Sequence, residues 1–325
     1  MIIRFFNSKM EQEAVLTSCV SLYAVSTYNE MGTFTLELVA NSENLSLNKI
    51  WRIITLDDDF ENPYFITDYS IQSGRIVMNG YPLTYILSYR ASTDIIKDIN
   101  AEVAMKSLID NMSEWDNLVS ADLRGFEDVF SNQISGGSVL EYIQGIGQSV
   151  DMGFRIAKKD GYLRFEAYKP GLNENVKFAT SLGNIMELSY VEDYTNYFNV
   201  AIVAGAGEGD NRVNVTAELL PTLKGYMRRE LYVDARNEQP EDGETDEEYR
   251  LRLRRIGIQN LVESFKFTNI KFDVSDYDEV KLGDIVPISL EEIGINFQAR
   301  ISETEIISSG NSTKRTIVLS NPFSE

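Results

Sequence analysis

Carboxylates are the side chains in this sequence that are most able to do chemistry. The chain has 325 residues, of which 50 are Asp or Glu and none is His. Without His, the Ser-His-Asp and Cys-His arrangements, the usual base near neutral pH and the commonest zinc ligand are all missing. What remains is lysine, a carboxylate pair as in glycoside hydrolases, or a metal held by oxygen ligands. No local motif singles out one carboxylate pair, so no enzymatic activity is predicted.

Two acidic runs offer oxygen ligands at close spacing. Asp57, Asp58 and Asp59 are followed by Glu61, and residues 238–248 carry seven acids and no base. Calcium-binding loops need alternating oxygen ligands and a sharp turn at a glycine. Neither run has that spacing, so both are predicted to be solvated loops, and no metal site is predicted.

A glycine-rich stretch and a single cysteine are the remaining chemical candidates. Residues 205–209 read Gly-Ala-Gly-Glu-Gly and follow a predicted strand, as a dinucleotide-binding loop does. Their spacing is not G-x-G-x-x-G, and an acid stands where phosphate would lie, so a flexible turn and no cofactor are predicted. Cys19 lies in a polar run and is predicted to be a passive thiol in a chain that folds in a reducing compartment.

The net charge is −20, from 30 basic and 50 acidic side chains. Nucleic acids and anionic membranes attract proteins mainly through Lys and Arg, so neither is an expected binding partner. The N-terminus lacks the features of a signal peptide, and no stretch approaches the roughly 20 apolar residues of a membrane span. The chain is therefore expected to begin as a soluble cytosolic protein.

Four aromatic residues have side chains that could stack on sugars: Phe5, Phe6, Trp51 and Trp115. Aromatic side chains more often fill hydrophobic cores, and that role is predicted for all four. The sequence is 43% hydrophobic and 11% aromatic, which is ample material for such cores.

Residues 1–90 alternate apolar and polar side chains at the period of a β-strand. The alternation is clearest over 33–38, and further strands are predicted at 51–56 and 64–69. A Ser-Gly pair at 73–74 stands between two apolar runs and predicts a hairpin turn. Many short strands at close spacing indicate an N-terminal antiparallel β-barrel.

Residues 91–185 mix helix and strand signals. Apolar residues at helical spacing predict a helix over 101–112. A second helix is predicted after Ser138, because Ser138 and Glu141 have the spacing of a capping box ahead of an amphipathic run. A hairpin with its turn at 159–161 follows, so this segment is predicted to be an α+β domain.

The remaining strand signals predict a second, discontinuous β-barrel from residues 186–220 and 266–325. Residues 221–265 between them carry the acidic run and then a group of arginines, an order that suits a helix dipole. Thr245 and Glu248 have capping-box spacing at its start. Residues 221–265 are therefore predicted to be a helical insertion.

Four segments, in this order along the chain, resemble the hub proteins of siphophage tails, which are related to the baseplate hubs of contractile tails. They are the helix and hairpin of 138–165, the strand and glycine-rich turn of 199–212, the segment Gly225-Tyr-Met-Arg-Arg-Glu-Leu-Tyr-Val-Asp-Ala-Arg236, and 281–303. The third is the most specific, because the family tends to show Arg-Arg-Glu and Val-Asp-Ala-Arg before a long helix. Together the four cover residues 130–325.

The resemblance implies a mainly β fold with two antiparallel β-barrels, an α+β domain between them and a helical insertion in the second barrel. It implies a homotrimer whose six barrels surround a channel for DNA. Such a hub joins the tail tube and distal tail proteins to tip or fibre proteins, and it is not an enzyme and has no cofactor. The expected location is the virion, after assembly in the host cytoplasm. Since Glu325 follows the last predicted strand closely, any lysin or fibre domain is expected on another polypeptide.

Arg228, Arg229, Asp234 and Arg236 belong to the most specific of these segments. They are predicted to form ion pairs that lock the helical insertion or a neighbouring subunit, and scattered surface pairs of little energy are the alternative. A second hypothesis concerns the acids, whose charge on a channel wall would let DNA slide without sticking.

Two other functions stay open for this sequence. A lectin-like tip protein that binds host glycans would show exposed aromatic side chains around a sugar-sized cleft. A carboxylate-based cell-wall hydrolase would show two acids facing each other across a groove. The order of the four segments favours the hub.

Overall fold

The computed structural model describes residues 1–47, 49, 52–112, 118–131, 133–159, 161–192, 194–219, 224–241, 243–264, 268–274, 280–310 and 312–319. Its strands, in chain order, are β1 Ile3–Phe6, β2 Gln12–Leu16, β3 Ser21–Thr27, β4 Thr33–Val39, β5 Ile53–Leu56, β6 Tyr64–Gln72, β7 Arg75–Pro82, β8 Ala91–Ile96, β9 Ile99–Asn100, β10 Leu118–Ser120, β11 Val129–Phe130, β12 Ile134–Ser138, β13 Gly153–Lys159, β14 Tyr162–Tyr168, β15 Phe178–Ala179, β16 Ile185–Glu192, β17 Val200–Ala204, β18 Asn214–Glu218, β19 Glu230–Asp234, β20 Thr268–Val274, β21 Ile285–Leu290, β22 Ile295–Ser309 and β23 Ser312–Leu319. Its helices are α1 Ser42–Leu45, α2 Ala101–Asp110, α3 Val139–Val150 and α4 Asp246–Ser264. The predicted mainly β composition is confirmed.

The chain divides into two compact units. The first contains Met1–Leu188 and Lys271–Leu319, and the second contains Ser189–Ile270. The strands β16 and β20 carry the chain from one unit to the other. The division into four segments that the sequence suggests stays a prediction.

The N-terminal strands form one half of the largest sheet, in the order β3-β4-β7-β6-β5-β1-β2. All these neighbours are antiparallel. The alternation predicted for β4 is confirmed, because Phe34, Leu36 and Leu38 are buried in a core that these strands share. The predicted turn at 73–74 joins β6 to β7, and both of its residues have positive φ.

The long strand β22 belongs to both halves of this sheet. Residues 295–300 pair with β21, while residues 303–309 lie between β3 and β23. Beyond β22 the order continues β23-β20-β16, and β15 lies beside β21. One continuous strand therefore connects the N-terminal strands with the late strands of the chain.

The helices α2 and α3 pack with the hairpin β13-β14 around a second core. The predicted capping box of α3 is confirmed, because Ser138 Oγ accepts a hydrogen bond from the N–H of Glu141 at 3.2 Å and the Glu141 carboxylate accepts one from the N–H of Ser138 at 2.7 Å. Tyr142 and Ile146 of α3 are fully buried. This region therefore contains both helices and strands, and its assignment as a separate α+β domain stays a prediction.

The second unit contains a three-stranded sheet in the order β18-β17-β19, with α4 against it. β17 pairs antiparallel with β18 and parallel with β19. Residues 200–218, which we expected in the second barrel, thus share a sheet with residues of the expected helical insertion. The capping box predicted for α4 is confirmed by reciprocal hydrogen bonds between Thr245 and Glu248.

Some predicted features lie outside the described residues. They include the start of a strand at Trp51, the role of Trp115, and Asp160 in a hairpin turn. Within the parts that are described, no helix has both the length and the apolar character needed to cross a membrane.

Candidate assembly surface

One face of the β18-β17-β19 sheet is covered by α4 and the other is open. The residues of α4 that face the sheet recur at every fourth position: Tyr249, Leu253, Gly257 and Leu261. A Cβ atom on Gly257 would lie 2.8 Å from side-chain carbons of Ala217 and Val203. Glycine at this position therefore lets the helix approach the sheet closely.

The glycine-rich stretch predicted as a turn forms the hairpin loop between β17 and β18. The hydroxyl of Tyr249 accepts a hydrogen bond from the N–H of Ala206 at 2.7 Å and donates one to the carbonyl of Glu238 at 2.6 Å. A Cβ atom on Gly205 would lie 2.5 Å from the same hydroxyl oxygen. The loop is packed against α4 and leads into a strand, which is unlike a phosphate-binding loop.

Arg228 spans one end of the open face. At this end of the sheet, Val200 on β17 is paired with Glu218 on β18 and with Glu230 on β19. The guanidinium of Arg228 lies 2.7 Å from a carboxylate oxygen of Glu218 and 2.7 Å from one of Glu230. Val200 between them is 1% exposed, so Arg228 bridges the two edge strands across a buried residue.

Asp234 organises the other end of the open face. Its carboxylate accepts hydrogen bonds from Arg236 at 2.6 Å and from Arg212 at 2.5 Å. These bonds, that of Arg236 first, hold the pKa of Asp234 well below its usual range. Tyr232 lies on β19 between Glu230 and Asp234, which belong to the two ion-pair groups, and it is 61% exposed. The open face is therefore a short polar surface with an aromatic side chain at its centre.

Arg229 has different partners from the other three predicted residues. Its backbone N–H donates to the side chain of Asn199 at 2.8 Å. Its guanidinium donates to the carbonyls of Tyr194 and Thr195, the latter at 2.9 Å, and lies 5.9 Å from the ring of Phe198. Arg229 thus tethers the segment before β17. A contact of any of these four residues with a neighbouring subunit stays a prediction.

Two of the three aspartates predicted to lie in a solvated loop, Asp57 and Asp58, are partnered by arginines. Asp57 lies 2.7 Å from Arg315, and Asp58 pairs with Arg4. Across the described ranges, no group of three or more Cys, Asp or Glu side chains is placed to hold a metal ion. These carboxylates serve as ion-pair partners of distant strands.

Glu61 belongs to a polar cluster that sequence reasoning missed. Its carboxylate lies 2.6 Å from the guanidinium of Arg155, which also lies 2.8 Å from Glu166. The Arg155 guanidinium is 5.2 Å from the ring centroid of Tyr168. Glu61 and Arg155 are 94 positions apart, so no local pattern could have predicted this contact between the N-terminal strands and β13.

Three side chains have an arrangement similar to that of a serine nucleophile with a lysine base: Ser120, Lys106 and Asp110. Lys106 Nζ lies 2.5 Å from Ser120 Oγ and 3.1 Å from a carboxylate oxygen of Asp110. A lysine serves as a base when a dry site favours its neutral form. Lys106 is 32% exposed and pairs with the carboxylate of Asp110, so it does not lie in a dry site. The arrangement therefore supports a structural contact between α2 and β10.

The aromatic and thiol candidates are placed as predicted where they are described. Phe5 is fully buried and Phe6 is 4% exposed, so both fill cores. Burial raises the pKa of the Cys19 thiol, which favours the unreactive protonated form. Trp51 and Trp115 lie outside the described residues.

The fold is similar over its whole length to that of three tail proteins of known structure. The tail protein from Neisseria meningitidis MC58 is 14% identical, with a TM-score of 0.67 over 98% of this chain and 96% of that one. The 43 kDa tail protein of prophage MuSo2 from Shewanella oneidensis is 11% identical, with a TM-score of 0.67 over 98% of each chain. The prophage tail protein gp18 from Listeria monocytogenes EGD-e is 13% identical, with a TM-score of 0.60 over 100% of this chain and 96% of that one. At these identities the likeness establishes the fold.

The sequence itself matches a family model over nearly its whole length. No curated protein matches the chain in a sequence comparison. The model of the Siphovirus ReqiPepy6 Gp37-like proteins, however, matches residues 2–319. The resemblance to siphophage tail proteins is thereby confirmed, and the chain belongs to the Siphovirus ReqiPepy6 Gp37-like protein family.

Proposed function

We propose that this chain is a structural subunit of a siphophage-type tail, located at the hub that joins the tail tube to distal tip or fibre proteins. The observation that supports this most is the match of both fold and family model over nearly the whole chain. A match of that extent indicates a shared role for the whole chain more strongly than a shared module does. We propose no enzymatic activity and no cofactor for it.

The sheet order supports two barrels that stand side by side. One barrel would consist of β3, β4, β7, β6, β5, β1 and β2, which share a core. The other barrel would consist of β15, β21, β22, β23, β20 and β16. Because β22 also pairs with β3 of the first barrel, the two barrels would be held rigidly to each other. In a homotrimer, six such barrels would surround a channel.

The net charge of −20 supports a channel through which DNA passes without binding. Proteins hold DNA by neutralising phosphates with Lys and Arg, and an acidic wall offers few such contacts. The hub would be part of the virion after assembly in the host cytoplasm, with the tail tube, distal tail proteins and tip or fibre proteins as its neighbours.

The two alternative functions gain no specific support from the described residues. Phe5 and Phe6 are core residues and do not line a sugar cleft. Glu61 and Glu166, a carboxylate pair at Arg155, share this guanidinium and do not face each other across an open groove. Incubation of the purified chain with bacterial cell walls is expected to show neither retention nor a cleared zone in a zymogram.

The test of the hub is the position of the chain in intact tails. Tails from a phage or induced prophage that encodes it would carry a tagged copy, labelled with gold and imaged by negative-stain electron microscopy. The label is expected at the distal tip, with three copies per tail by quantitative mass spectrometry. Label along the tube, label on the capsid, or purified tails without the chain would contradict the proposal.

A further inference from the structure

The arginines of α4 fall into two kinds. Arg250 and Arg252 bind acids at the N-terminal end of the helix at 2.8–2.9 Å. Arg254 and Arg255 are exposed and have no ion-pair or hydrogen-bond partner in the described parts of the chain. In a chain with a net charge of −20, two guanidinium groups without carboxylates are unusual and are available to a partner.

Exposed apolar side chains lie beside these two arginines. Leu251, Arg255 and Val262 follow at helical spacing on the side of α4 opposite the sheet. Leu251 is 44% exposed and Val262 is 54% exposed. The outer side of a surface helix is normally polar, so apolar residues there indicate a covered surface. We call Leu251, Arg254, Arg255 and Val262 the α4 stripe.

The complementary chemistry occurs in the first unit, near the loop of residues 121–128. Asp122 and Glu127 are exposed and, within the described ranges, have no ion-pair or hydrogen-bond partner. Leu123 is 48% exposed and Val129 is 52% exposed. We call Asp122, Leu123, Glu127 and Val129 the acidic loop. It offers free carboxylates beside apolar side chains, as the α4 stripe offers free guanidinium groups beside apolar side chains.

A buried carboxylate fixes the backbone of the acidic loop. Glu102 is 4% exposed, and its side chain accepts hydrogen bonds from the N–H groups of Arg124 at 2.5 Å, Gly125 at 2.9 Å and Phe126 at 3.1 Å. Asn100 donates to the carbonyl of Phe126 at 2.6 Å. A loop held in this way is preorganised and loses little conformational entropy on binding a partner.

We propose that the α4 stripe of one copy of this chain docks on the acidic loop of the next copy. This inference rests on the proposed trimeric hub and identifies the contact between its subunits. The two surfaces differ, so the contact is heterologous and repeats head to tail, and such contacts close into a ring when the rotation permits. Arg254 and Arg255 then face Asp122 and Glu127, and Leu251 and Val262 face Leu123 and Val129.

A charge exchange in the full-length chain tests this contact. One variant carries Arg254→Glu and Arg255→Glu, a second carries Asp122→Lys and Glu127→Lys, and a third carries all four changes. The wild-type chain is expected to reach three times its mass of 36.9 kDa in sedimentation experiments as its concentration rises. Each double variant is expected to associate roughly tenfold or more weakly, and the fourfold variant to recover most of the loss.

The matched control for the arginine variant carries Lys9→Glu and Arg75→Glu, which give the same change in net charge as that variant at two exposed cations outside both surfaces. It is expected to associate like the wild type, and circular dichroism confirms that every variant is folded. A wild-type chain that stays monomeric at all concentrations overturns the docking, as do double variants that associate normally. If the double variants form trimers but fail to join the tail, the α4 stripe binds another tail protein and the docking between copies is wrong. The position of the gold label in the tail tests the proposed hub role independently. Failure of the docking experiment therefore would not contradict the hub role.

Discussion

Arg300 lies over the ring of Tyr28, with its guanidinium carbon 4.7 Å from the ring centroid. Its side chain is 7% exposed, and its guanidinium donates to the carbonyl of Gly283 at 2.7 Å and to the carboxylate of Asp151. The hydroxyl of Tyr28 donates to the carbonyl of Asp151 at 3.1 Å. Three segments that are distant in sequence therefore meet at one ring: the end of β3, the end of α3, and the region of β21 and β22.

Gly153 makes the room for this junction. A Cβ atom at this position would lie 2.6 Å from ring carbons of both Tyr28 and Tyr168. The substitution Gly153→Ala should therefore push the two rings apart and lower the free energy of unfolding by about 1–3 kcal/mol, as overpacking of a core does. Urea denaturation of the full-length chain measures the change.

The control is Gly171→Ala, because a Cβ atom there would meet nothing within 4 Å and the residue has no positive φ. That variant should stay within about 0.5 kcal/mol of the wild type. Equal stability of the two variants would show that the rings of Tyr28 and Tyr168 can move aside without cost.

Glu102 should be essential to the shape of the loop that its side chain holds. In Glu102→Gln, an amide group replaces one carboxylate oxygen, so at least one of the loop N–H groups loses its acceptor. The expected loss of stability is about 1–3 kcal/mol, the cost of leaving a buried polar group unsatisfied. Hydrogen exchange should speed up at Arg124, Gly125 and Phe126, and Glu174→Gln, at an exposed site, should leave it unchanged.

Acid should weaken a contact between two 3-10 turns, Thr180–Leu182 and Glu291–Ile293. The carboxylate of Glu291 accepts hydrogen bonds from the hydroxyls of Ser181 at 2.7 Å and Thr180 at 2.5 Å, and these bonds lower its pKa from 4.5 to about 2. A carboxyl group with a lowered pKa in the folded state stabilises the fold above its unfolded pKa. This stabilisation should therefore be complete at neutral pH and decline as the pH falls from 4.5 towards 2.

The measurement compares the wild type with Glu291→Gln in urea denaturation between pH 7 and pH 3. The wild type should be more stable at pH 7, and the difference between the two should shrink below pH 4.5. Glu292→Gln, at the exposed neighbouring position, serves as the control and should follow the wild type throughout. A difference that stays constant with pH would contradict the role given to the Glu291 carboxylate.

Local features of the fold were predictable from the sequence because their partners are neighbours in the chain. The capping boxes at Ser138 and Thr245 each bring together two residues three positions apart, so the spacing alone predicts the geometry. The hairpin at 73–74 is fixed in the same way by a pair of residues that tolerate positive φ. Such interactions need no knowledge of the rest of the fold.

The tertiary contacts were not predictable in this way. Arg300 and Asp151 are 149 positions apart, and nothing in either local sequence indicates the other. Arg228 was a predicted contact residue, but its partner Glu218 becomes its neighbour through the pairing of both edge strands with β17. The parallel pairing of β19 with β17 depends on the path of the chain between them, which hydrophobic periodicity does not specify.

Arg229 and Arg228 are adjacent, and their substitution should have different effects. The guanidinium of Arg229 donates to two backbone carbonyls, at Tyr194 and Thr195, whereas that of Arg228 pairs with carboxylates at the surface. Surface ion pairs contribute little because water and salt screen them, so Arg228→Leu should change the free energy of unfolding little. Arg229→Leu should cost about 1–3 kcal/mol, because it removes charged hydrogen bonds that fix the backbone before β17.

Hydrogen exchange separates the two cases more sharply than stability does. In Arg229→Leu, amides of the segment 194–199 should exchange roughly tenfold faster or more, since the segment loses the side chain that tethers it. In Arg228→Leu those amides should keep their wild-type rates, because its partners lie on β18 and β19. Equal acceleration in both variants would mean that Arg228 and Arg229 act as one cluster. The ion pairs of the open face would then be energetically coupled to the hydrogen bonds of Arg229 with the segment before β17.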